Sequence, residues 1–140
     1  MNVFVDTNII IDVLMQRSGF HEDAIRLFSL GDSHRINLIV SALSISNTYY
    51  ILSRLIPERH VRVELKKVKE YFETKPLTDE LIGFAINDMN FPDFEDGIQY
   101  YTAMENRCEF IITRNKKDFK NSQIPVLNPF EFLATFKKDN

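Results

Sequence analysis

The chain has 140 residues, of which 44% are hydrophobic and 26% charged, and this length and composition predict a single soluble domain over residues 1–140. Seventeen basic against twenty acidic residues give a net charge of −3, which argues against a protein that coats nucleic acid through bulk positive charge. One cysteine excludes an internal disulfide, and three scattered histidines cannot complete a Cys/His zinc cluster, so any metal site must use oxygen ligands. The four glycines form neither a G-x-G-x-x-G motif nor a P-loop, which removes the two commonest nucleotide-binding signatures.

The sequence also lacks the signals of a membrane or secreted protein. Charges break its apolar stretches well short of the roughly 18 apolar residues that a membrane-spanning helix needs. The amino terminus reaches Asp6 before the apolar core of a signal peptide could form. We therefore expect a cytoplasmic protein without a membrane span.

Hydrophobic periodicity in the first half of the chain predicts strands and helices in alternation. In chain order these are a strand over residues 3–5, helices over 8–16 and 21–30, a strand over 36–40 and a helix over 41–55. Asp6 ends the first strand, Gly31 is expected to be the C-cap of the second helix, and Pro57 stops the third.

The second half of the chain continues with more helix than strand. The predicted elements are a helix over residues 58–73, a connection over 75–77, helices over 79–88 and 94–106, strands over 109–113 and 124–127, and a closing helix from 129. Asp93 is placed as the N-cap of the 94–106 helix, and Asn128 with Glu131 forms a capping box around Pro129. The proline in the last strand suits the edge of a sheet.

Strands separated by one or two helices predict parallel pairing through right-handed crossovers. The predicted fold is therefore α/β, a three-layer α/β/α sandwich with a central parallel sheet. In such a sheet the functional crevice lies beyond the carboxyl ends of the strands, so the side chains placed there are the candidates for function.

Acidic and amide side chains come at the positions in the chain where this crevice is expected. They are Asp6, Asn47, Asp96, Asn115 and Asp118, with Asp93 and Glu95 close by in the sequence. Several carboxylates that face one another repel unless a cation neutralises them. Mg²⁺ or Mn²⁺ prefers such oxygen ligands, and its open positions can take a phosphate oxygen and an attacking water. The pattern therefore indicates metal-assisted hydrolysis of a phosphodiester.

Three motifs, in this order, resemble those of the PIN domain family. They are Val5-Asp6-Thr7-Asn8, Phe94-Glu95-Asp96-Gly97-Ile98-Gln99 and Ile112-Thr113-Arg114-Asn115-Lys116-Lys117-Asp118-Phe119, and the resemblance continues through residues 125–133. PIN domains are α/β/α sandwiches, and many bacterial ones of this size are Mg²⁺- or Mn²⁺-dependent ribonucleases that act as toxins of VapBC-type toxin–antitoxin pairs. The resemblance implies a metal-dependent endoribonuclease with RNA as substrate, a small antitoxin as partner, and a homodimeric toxin.

The resemblance also assigns roles to individual residues. Asp6 matches the first metal-binding acid of the family, and Asp96 matches the third. The second acid, usually a Glu, falls on Asn47, whose amide brings no negative charge and cannot act as a general base. The fourth position falls on Asn115, and Asp118 three residues later is the alternative metal ligand and catalytic residue.

Residues around these positions are expected to support them. Asn8 and Thr113 are predicted to orient the carboxylates, and Asp93 or Glu95 to compensate for the charge missing at Asn47. A basic group beside the site, Arg114, Lys116 and Lys117, is predicted to hold RNA phosphates. The tyrosines at 49, 50, 100 and 101 could stack on bases, although at least one of each pair is expected in the core.

Two alternatives to a nuclease remain open. Asp6 can simply cap the first helix, and the helix dipole favours an acid at Asp96 in any protein, so a PIN fold weakened at Asn47 could bind RNA or a partner chain without cleaving. A phosphotransfer domain of the haloacid-dehalogenase or receiver type also places an Asp after its first strand. Asp6-Thr7-Asn8, however, lacks the second acid of the D-x-D motif.

Overall fold

The computed structural model, which describes residues 1–138, contains five strands and seven α-helices, and two helices separate each consecutive pair among the first four strands. The strands are β1 (Asn2–Val5), β2 (Asn37–Ser41), β3 (Glu73–Lys75), β4 (Phe110–Ile112) and β5 (Val126–Leu127). The helices are α1 (Thr7–Leu14), α2 (His21–Asp32), α3 (Ala42–Leu52), α4 (Glu58–Tyr71), α5 (Asp79–Asn87), α6 (Phe94–Glu105) and α7 (Pro129–Lys138), with a 3₁₀ turn over Lys116–Phe119. None of the helices described is long and apolar enough to cross a membrane.

The strands form one sheet in the order β3-β2-β1-β4-β5, and every pairing is parallel. β1 lies at the centre, where Phe4 pairs with Ile39 of β2 on one side and with Ile111 of β4 on the other. Because neighbouring parallel strands end at the same edge, the residues after β1, β2 and β4 are brought together. The predicted α/β fold with a central parallel sheet is confirmed.

Helices cover both faces of the sheet because alternate strand residues enter two different cores. Val3 and Val5 of β1 belong to the core beneath α1, α2, α4 and α7. Phe4, between them, belongs to the opposite core, which includes Tyr100 of α6 and Phe119 of the 3₁₀ turn. Since both faces are filled with apolar side chains, the polar residues with chemical function are confined to the edge of the sheet.

The edge strand β3 is absent from the sequence prediction. The helix predicted up to residue 73 ends at Tyr71, and Glu73–Lys75 pairs with β2 instead. A three-residue strand of Glu, Thr and Lys has no apolar alternation to reveal it, and polar residues at an edge protect it from pairing with other chains. Asn37 of β2 donates to the Glu73 carboxylate at 2.9 Å, which reinforces the backbone pairing.

The predicted ends of α2 and α3 are also wrong. Gly31 is not the C-cap of α2, because the helix continues to Asp32. A Cβ at Gly31 would lie 2.5 Å from Leu38 Cδ1, so the close approach of α2 to β2 explains the glycine. The helix predicted to reach Leu55 stops at Leu52, and residues 53–56 form a turn in which Leu55 is 57% exposed and lacks a core to join.

Candidate active site

Asp6 is the first residue beyond the central strand, and hydrogen bonds hold its carboxylate at the sheet edge. Its backbone N–H donates to Ile112 O of β4 at 2.9 Å, which extends the strand pairing by one residue. Asp6 Oδ1 accepts from the Thr7 N–H at 2.8 Å, and Oδ2 accepts from Thr113 Oγ1 at 2.8 Å. Because the side chain is buried, these bonds fix one orientation of the carboxylate.

The buried hydroxyl of Thr113 links Asp6 to the loop after β4. It donates to Asp6 and accepts from Asn8 Nδ2 at 3.1 Å and from the Asn115 N–H at 3.1 Å. Asn8 Oδ1 accepts from the Arg114 N–H at 3.3 Å, so the amide of Asn8 bridges the two sides of the edge. Asn8 and Thr113 therefore lie against Asp6 and hold both its carboxylate and the following loop.

A second network, centred on Gln99, joins the helices beneath the site. Gln99 Nε2 donates to Ser44 Oγ at 2.7 Å and to Thr7 Oγ1 at 3.3 Å, and Gln99 Oε1 accepts from Ser41 Oγ at 2.5 Å. Ser41 also caps α3 by accepting from the Ser44 N–H at 3.0 Å. The network ties α6 to the first turns of α1 and α3, so the side chains that these helices carry share one cleft. The sequence prediction leaves Gln99 without a role.

This cleft has a volume of about 470 Å³ and brings together residues from four separate parts of the chain. The predicted site residues that line it are Asp6, Asn8, Asn47, Asp96, Asn115 and Asp118. Glu95 of α6 also lines it. Thr113 lies beneath the cleft rather than in its lining, where it holds Asp6.

Asp93 caps α6 and does not line the cleft. Its Oδ1 accepts from the Glu95 N–H at 2.9 Å and from the Asp96 N–H at 3.3 Å. This cap fixes the first turn of α6, from which Glu95 and Asp96 both reach the cleft. Of the two acids proposed to compensate for Asn47, Glu95 is thus the one that lines the same cleft.

Burial and mutual repulsion raise the pKa of two cleft acids. Burial raises the pKa of Asp6 above its ordinary value of 3.8, against the opposing effect of the hydrogen bonds from Thr113 and the Thr7 N–H. Burial, followed by the negative charges of Asp93 and of three other nearby acids, raises the pKa of Asp96 to about 7. Burial and mutual repulsion thus disfavour the charged form of these carboxylates, and a bound cation would stabilise that form.

The oxygen donors of the cleft suit a hard divalent cation. Carboxylate and amide oxygens are the ligands that Mg²⁺ and Mn²⁺ take in proteins. Within residues 1–138, however, no three His, Cys, Asp or Glu side chains converge closely enough to form a ready-made metal site. The cleft therefore fits an ion that is held by few carboxylates, with water and the amides of Asn47 and Asn115 as further oxygen ligands.

The basic residues predicted to hold RNA do not line this cleft. Arg114 donates through Nε to Asp12 Oδ2 at 2.6 Å, and its guanidinium lies 4.5 Å from the centre of the Phe20 ring. Lys116 donates to both carboxylate oxygens of Glu131, at 2.9 and 3.0 Å. Lys117 is exposed on the 3₁₀ turn. The basic residue that lines the cleft is Arg17, which the sequence prediction leaves out.

A sequence signal for Arg17 does exist. Asp12 interrupts the apolar run of α1, and its side chain is 1% exposed. A buried carboxylate needs a cationic partner, and Arg17, five residues later, comes within 3.6 Å of it. Recognising the signal requires knowing that Asp12 faces inward, which periodicity alone leaves ambiguous in a helix with so many apolar residues.

The four tyrosines separate by position. Tyr50 of α3 is 56% exposed and lines the cleft. Tyr100 is buried, Tyr101 donates to Asp88 Oδ2 at 2.6 Å, and Tyr49 donates to an exposed glutamate. Tyr50 is therefore the tyrosine that lines the cleft, and the guanidinium of Arg54 lies 4.2 Å from the centre of its ring.

Known proteins share both the sequence pattern and the fold. A family model of the PIN domain matches residues 2–117, a range that includes every cleft acid except Asp118. The chain is 31% identical to Ribonuclease VapC1 of Aquifex aeolicus (strain VF5) over 134 residues, which cover 93% of this chain and 92% of that protein.

Solved structures resemble the fold at low sequence identity. The structure of VapBC-1 from nontypeable Haemophilus influenzae matches with a TM-score of 0.71 and 14% identity, over 93% of this chain and 99% of that chain. A toxin–antitoxin complex from Klebsiella pneumoniae matches with a TM-score of 0.68 and 23% identity, over 91% of this chain and 97% of that chain. At these identities the two matches support the fold alone.

Proposed function

The chain belongs to the PIN domain family, and from this premise we propose that it is a divalent-metal-dependent endoribonuclease and the toxin of a type II toxin–antitoxin pair. The observation that carries the proposal is the single cleft in which Asp6 and Asp96, far apart in the chain, lie together with Asp118. The relative named Ribonuclease VapC1 supports RNA as the substrate class. Membership of the PIN domain family also rules out the alternative of a phosphotransfer domain.

The proposed cation is Mg²⁺ or Mn²⁺, attracted by Asp6, Asp96 and Asp118 of the one cleft. Because these acids do not converge into a ready-made site within residues 1–138, water and the amides of Asn47 and Asn115 would complete the ligands. When bound, the cation would polarise a phosphate oxygen and lower the pKa of the water that attacks the phosphorus atom. The hydrogen bonds from Thr113 and the Thr7 N–H keep the Asp6 carboxylate in one orientation before substrate arrives. A site arranged in advance needs little reorganisation during the reaction.

Asn47 restricts which group takes up the proton of the attacking water. Its amide can hold a water molecule through a hydrogen bond but cannot accept a proton from it. Glu95 lines the same cleft and is not among the proposed metal ligands, so its carboxylate is available for that role. Glu95 in this way supplies part of the negative charge that a glutamate at position 47 would bring.

Cleavage of a labelled single-stranded RNA by purified protein, with Mn²⁺ or with EDTA, tests this function. We expect cleavage with Mn²⁺ and none with EDTA, and a loss of about 100-fold or more in Asp6→Asn and Asp96→Asn. Asp79→Asn is the matched control, because Asp79 is an exposed acid in the first turn of α5 and lies outside the cleft. Equal rates in the parent and both cleft variants would contradict the proposal.

A second candidate function is a PIN fold that binds RNA or a partner chain without cleaving. Two observations favour it: the amide at Asn47, and the lack of three convergent metal-ligating side chains in residues 1–138. Calorimetric titration with Mn²⁺ separates the two functions. A nuclease should show a Mn²⁺ site that Asp96→Asn weakens, whereas a binding module should give the same result for parent and variant.

The proposed partners are a small antitoxin and a second copy of this chain. The fold shared with solved toxin–antitoxin complexes supports the first, and the family supports the second. Co-expression with the product of a short neighbouring reading frame, followed by co-purification, tests for the antitoxin. Light scattering on the isolated chain tests for the homodimer.

A further inference from the structure

Arg17 places a cation in an otherwise acidic cleft. It lines the cleft together with Asp6, Asp96 and Asp118, and its side chain is 45% exposed. Within the described part of the chain, its ion pair is with Asp12 and not with any of these three acids. The positive charge of Arg17 is therefore presented to the cleft without being neutralised by the acids that line it.

Asp12 is a buried carboxylate shared between two arginines. Its Oδ2 accepts from Arg114 Nε at 2.6 Å. Its Oδ1 lies 3.6 Å from Arg17 Nη1 and accepts no hydrogen bond from any group within residues 1–138. Asp12 thus attracts the guanidinium of Arg17 by charge but does not occupy its N–H donors, which remain available to a ligand.

Hydrogen bonds hold the backbone around Arg17 in a closed turn. Gln16 adopts a φ of +49°, a left-handed conformation that turns the chain sharply after α1. The Arg17 N–H then donates to Asp12 O at 3.0 Å, and Arg17 O accepts from the N–H groups of Phe20 and His21 at 3.1 and 3.0 Å. This closed turn fixes the backbone position from which the Arg17 side chain extends.

We propose that Arg17 binds a phosphate group of an RNA strand in the cleft and that Asp12 is the positioning residue that aims its guanidinium. The proposal rests on the proposed function, because it takes RNA as the ligand. A guanidinium donates two parallel hydrogen bonds to phosphate oxygens. The strand also needs a cation at this point, because the cleft acids repel its phosphates.

Arg17 replaces Arg114 as the principal phosphate-binding arginine of this region. Arg114 is engaged by Asp12 and by the ring of Phe20, and it lines a neighbouring cavity rather than the acidic cleft. The two arginines share one buried carboxylate, so a change at Asp12 alters the position of both. Arg114 therefore acts chiefly by completing the pairing of Asp12.

The first experiment measures binding of a short fluorescein-labelled single-stranded RNA in EDTA, by anisotropy, over a range of salt concentrations. For single strands the slope of log K against log salt is about −0.7 per phosphate contact. Arg17→Gln should weaken binding about tenfold at low salt and reduce the slope by about 0.7, while Arg17→Lys retains most of the slope. Arg26→Gln is the control, because it changes the net charge by the same amount. Arg26 is an exposed residue of α2 that pairs with Asp23 at 3.5 Å.

The outcomes separate this proposal from the proposed function. If the parent binds RNA through Arg17 but does not cleave it with Mn²⁺, the phosphate site stands and the nuclease function fails. If the parent cleaves RNA, and Arg17→Gln binds and cleaves it equally well, the phosphate site is wrong and the nuclease function stands. A third outcome would also overturn the proposal: Arg17→Gln binds RNA as well as the parent does but no longer co-purifies with a co-expressed partner chain. Arg17 would then pair with a carboxylate of that partner and not with a phosphate.

The role of Asp12 is tested by a double-mutant cycle on the same RNA-binding measurement. Asp12→Asn should lower the affinity in the parent, yet cause little further loss once Arg17 is Gln, because it acts through that side chain. Thermal unfolding of each variant identifies losses that are due to destabilisation. An equal loss in both backgrounds would show that Asp12 acts on the fold and does not position Arg17.

Discussion

Asp96→Asn should stabilise the metal-free protein at pH 8. The raised pKa of Asp96 means that the folded chain holds its charged form at a cost, first from burial and then from neighbouring acids. Asparagine keeps the shape of the side chain and removes that charge. Most substitutions at a helix start that remove an acid lose the favourable interaction with the helix dipole, so a gain in stability here would be distinctive.

The size of the effect follows from the two pKa values. The difference between 3.8 and about 7 corresponds to about 4 kcal/mol if it were fully expressed in the free energy of unfolding. Asp96 is only half-buried, so solvent screening and relaxation reduce the expected gain to about 1–2 kcal/mol.

The pH dependence gives the sign of the effect. Between pH 3.8 and about 7 the folded chain binds a proton at Asp96 that the unfolded chain releases, so this contribution to stability falls as pH rises through that window. The advantage of Asp96→Asn should therefore be full at pH 8 and nearly absent at pH 4.

Urea unfolding in EDTA at pH 8 and pH 4 is the measurement, with Asp79→Asn as the control. Asp79 is exposed in the first turn of α5, so its substitution should bring no gain at either pH. With Mn²⁺ at about 100 times its dissociation constant, the parent should gain about 2.7 kcal/mol and become the more stable protein. Equal destabilisation by Asp96→Asn at both pH values in EDTA would refute the reasoning.

Three other substitutions test separate parts of the structure. Asn47→Glu adds a carboxylate to the cleft and should tighten Mn²⁺ binding about tenfold in calorimetry, and weaker binding would remove Asn47 from the second-acid position. Thr113→Val removes the hydroxyl that donates to Asp6, so the free energy of unfolding should fall by about 1–3 kcal/mol. Its kcat for RNA cleavage should fall by a larger factor than its KM changes, and an unchanged kcat would contradict the orienting role. Gly31→Ala forces a Cβ against Leu38 and should cost about 1–2 kcal/mol in urea unfolding while leaving RNA cleavage per folded molecule unchanged, and a stabilised variant would show that Leu38 can move aside.

Local chemistry carried the prediction of the fold. Several predicted features depend on near neighbours in the chain, and each is present in the structure: the strand that ends at Asp6, the helix cap at Asp93 and the capping box at Asn128. The order of strands and helices then implied a parallel sheet. The sequence did not predict the strand β3, because its three polar residues pair through their backbones and form no hydrophobic pattern.

The residues of the candidate site could likewise be predicted only in part. Asp6, Asn115 and Asp118 could be chosen from the sequence because they follow strands, and parallel strands share an edge. Asn47, within α3, and Asp96, in the first turn of α6, were indicated by the resemblance to the family motifs. Side-chain direction could not be read in this way. Asp93 turns back to cap its own helix and does not line the cleft, whereas Glu95, only two residues later, does.

By itself, then, the sequence determined the α/β class and the family motifs, since these depend on residue type and spacing. Only the tertiary structure decided which charges meet. It tied Arg114 to Asp12, brought Arg17 into the acidic cleft and joined Gln99 to the starts of two other helices. Such pairings depend on where buried side chains point after the helices pack, and that direction is set by contacts between residues distant in the chain.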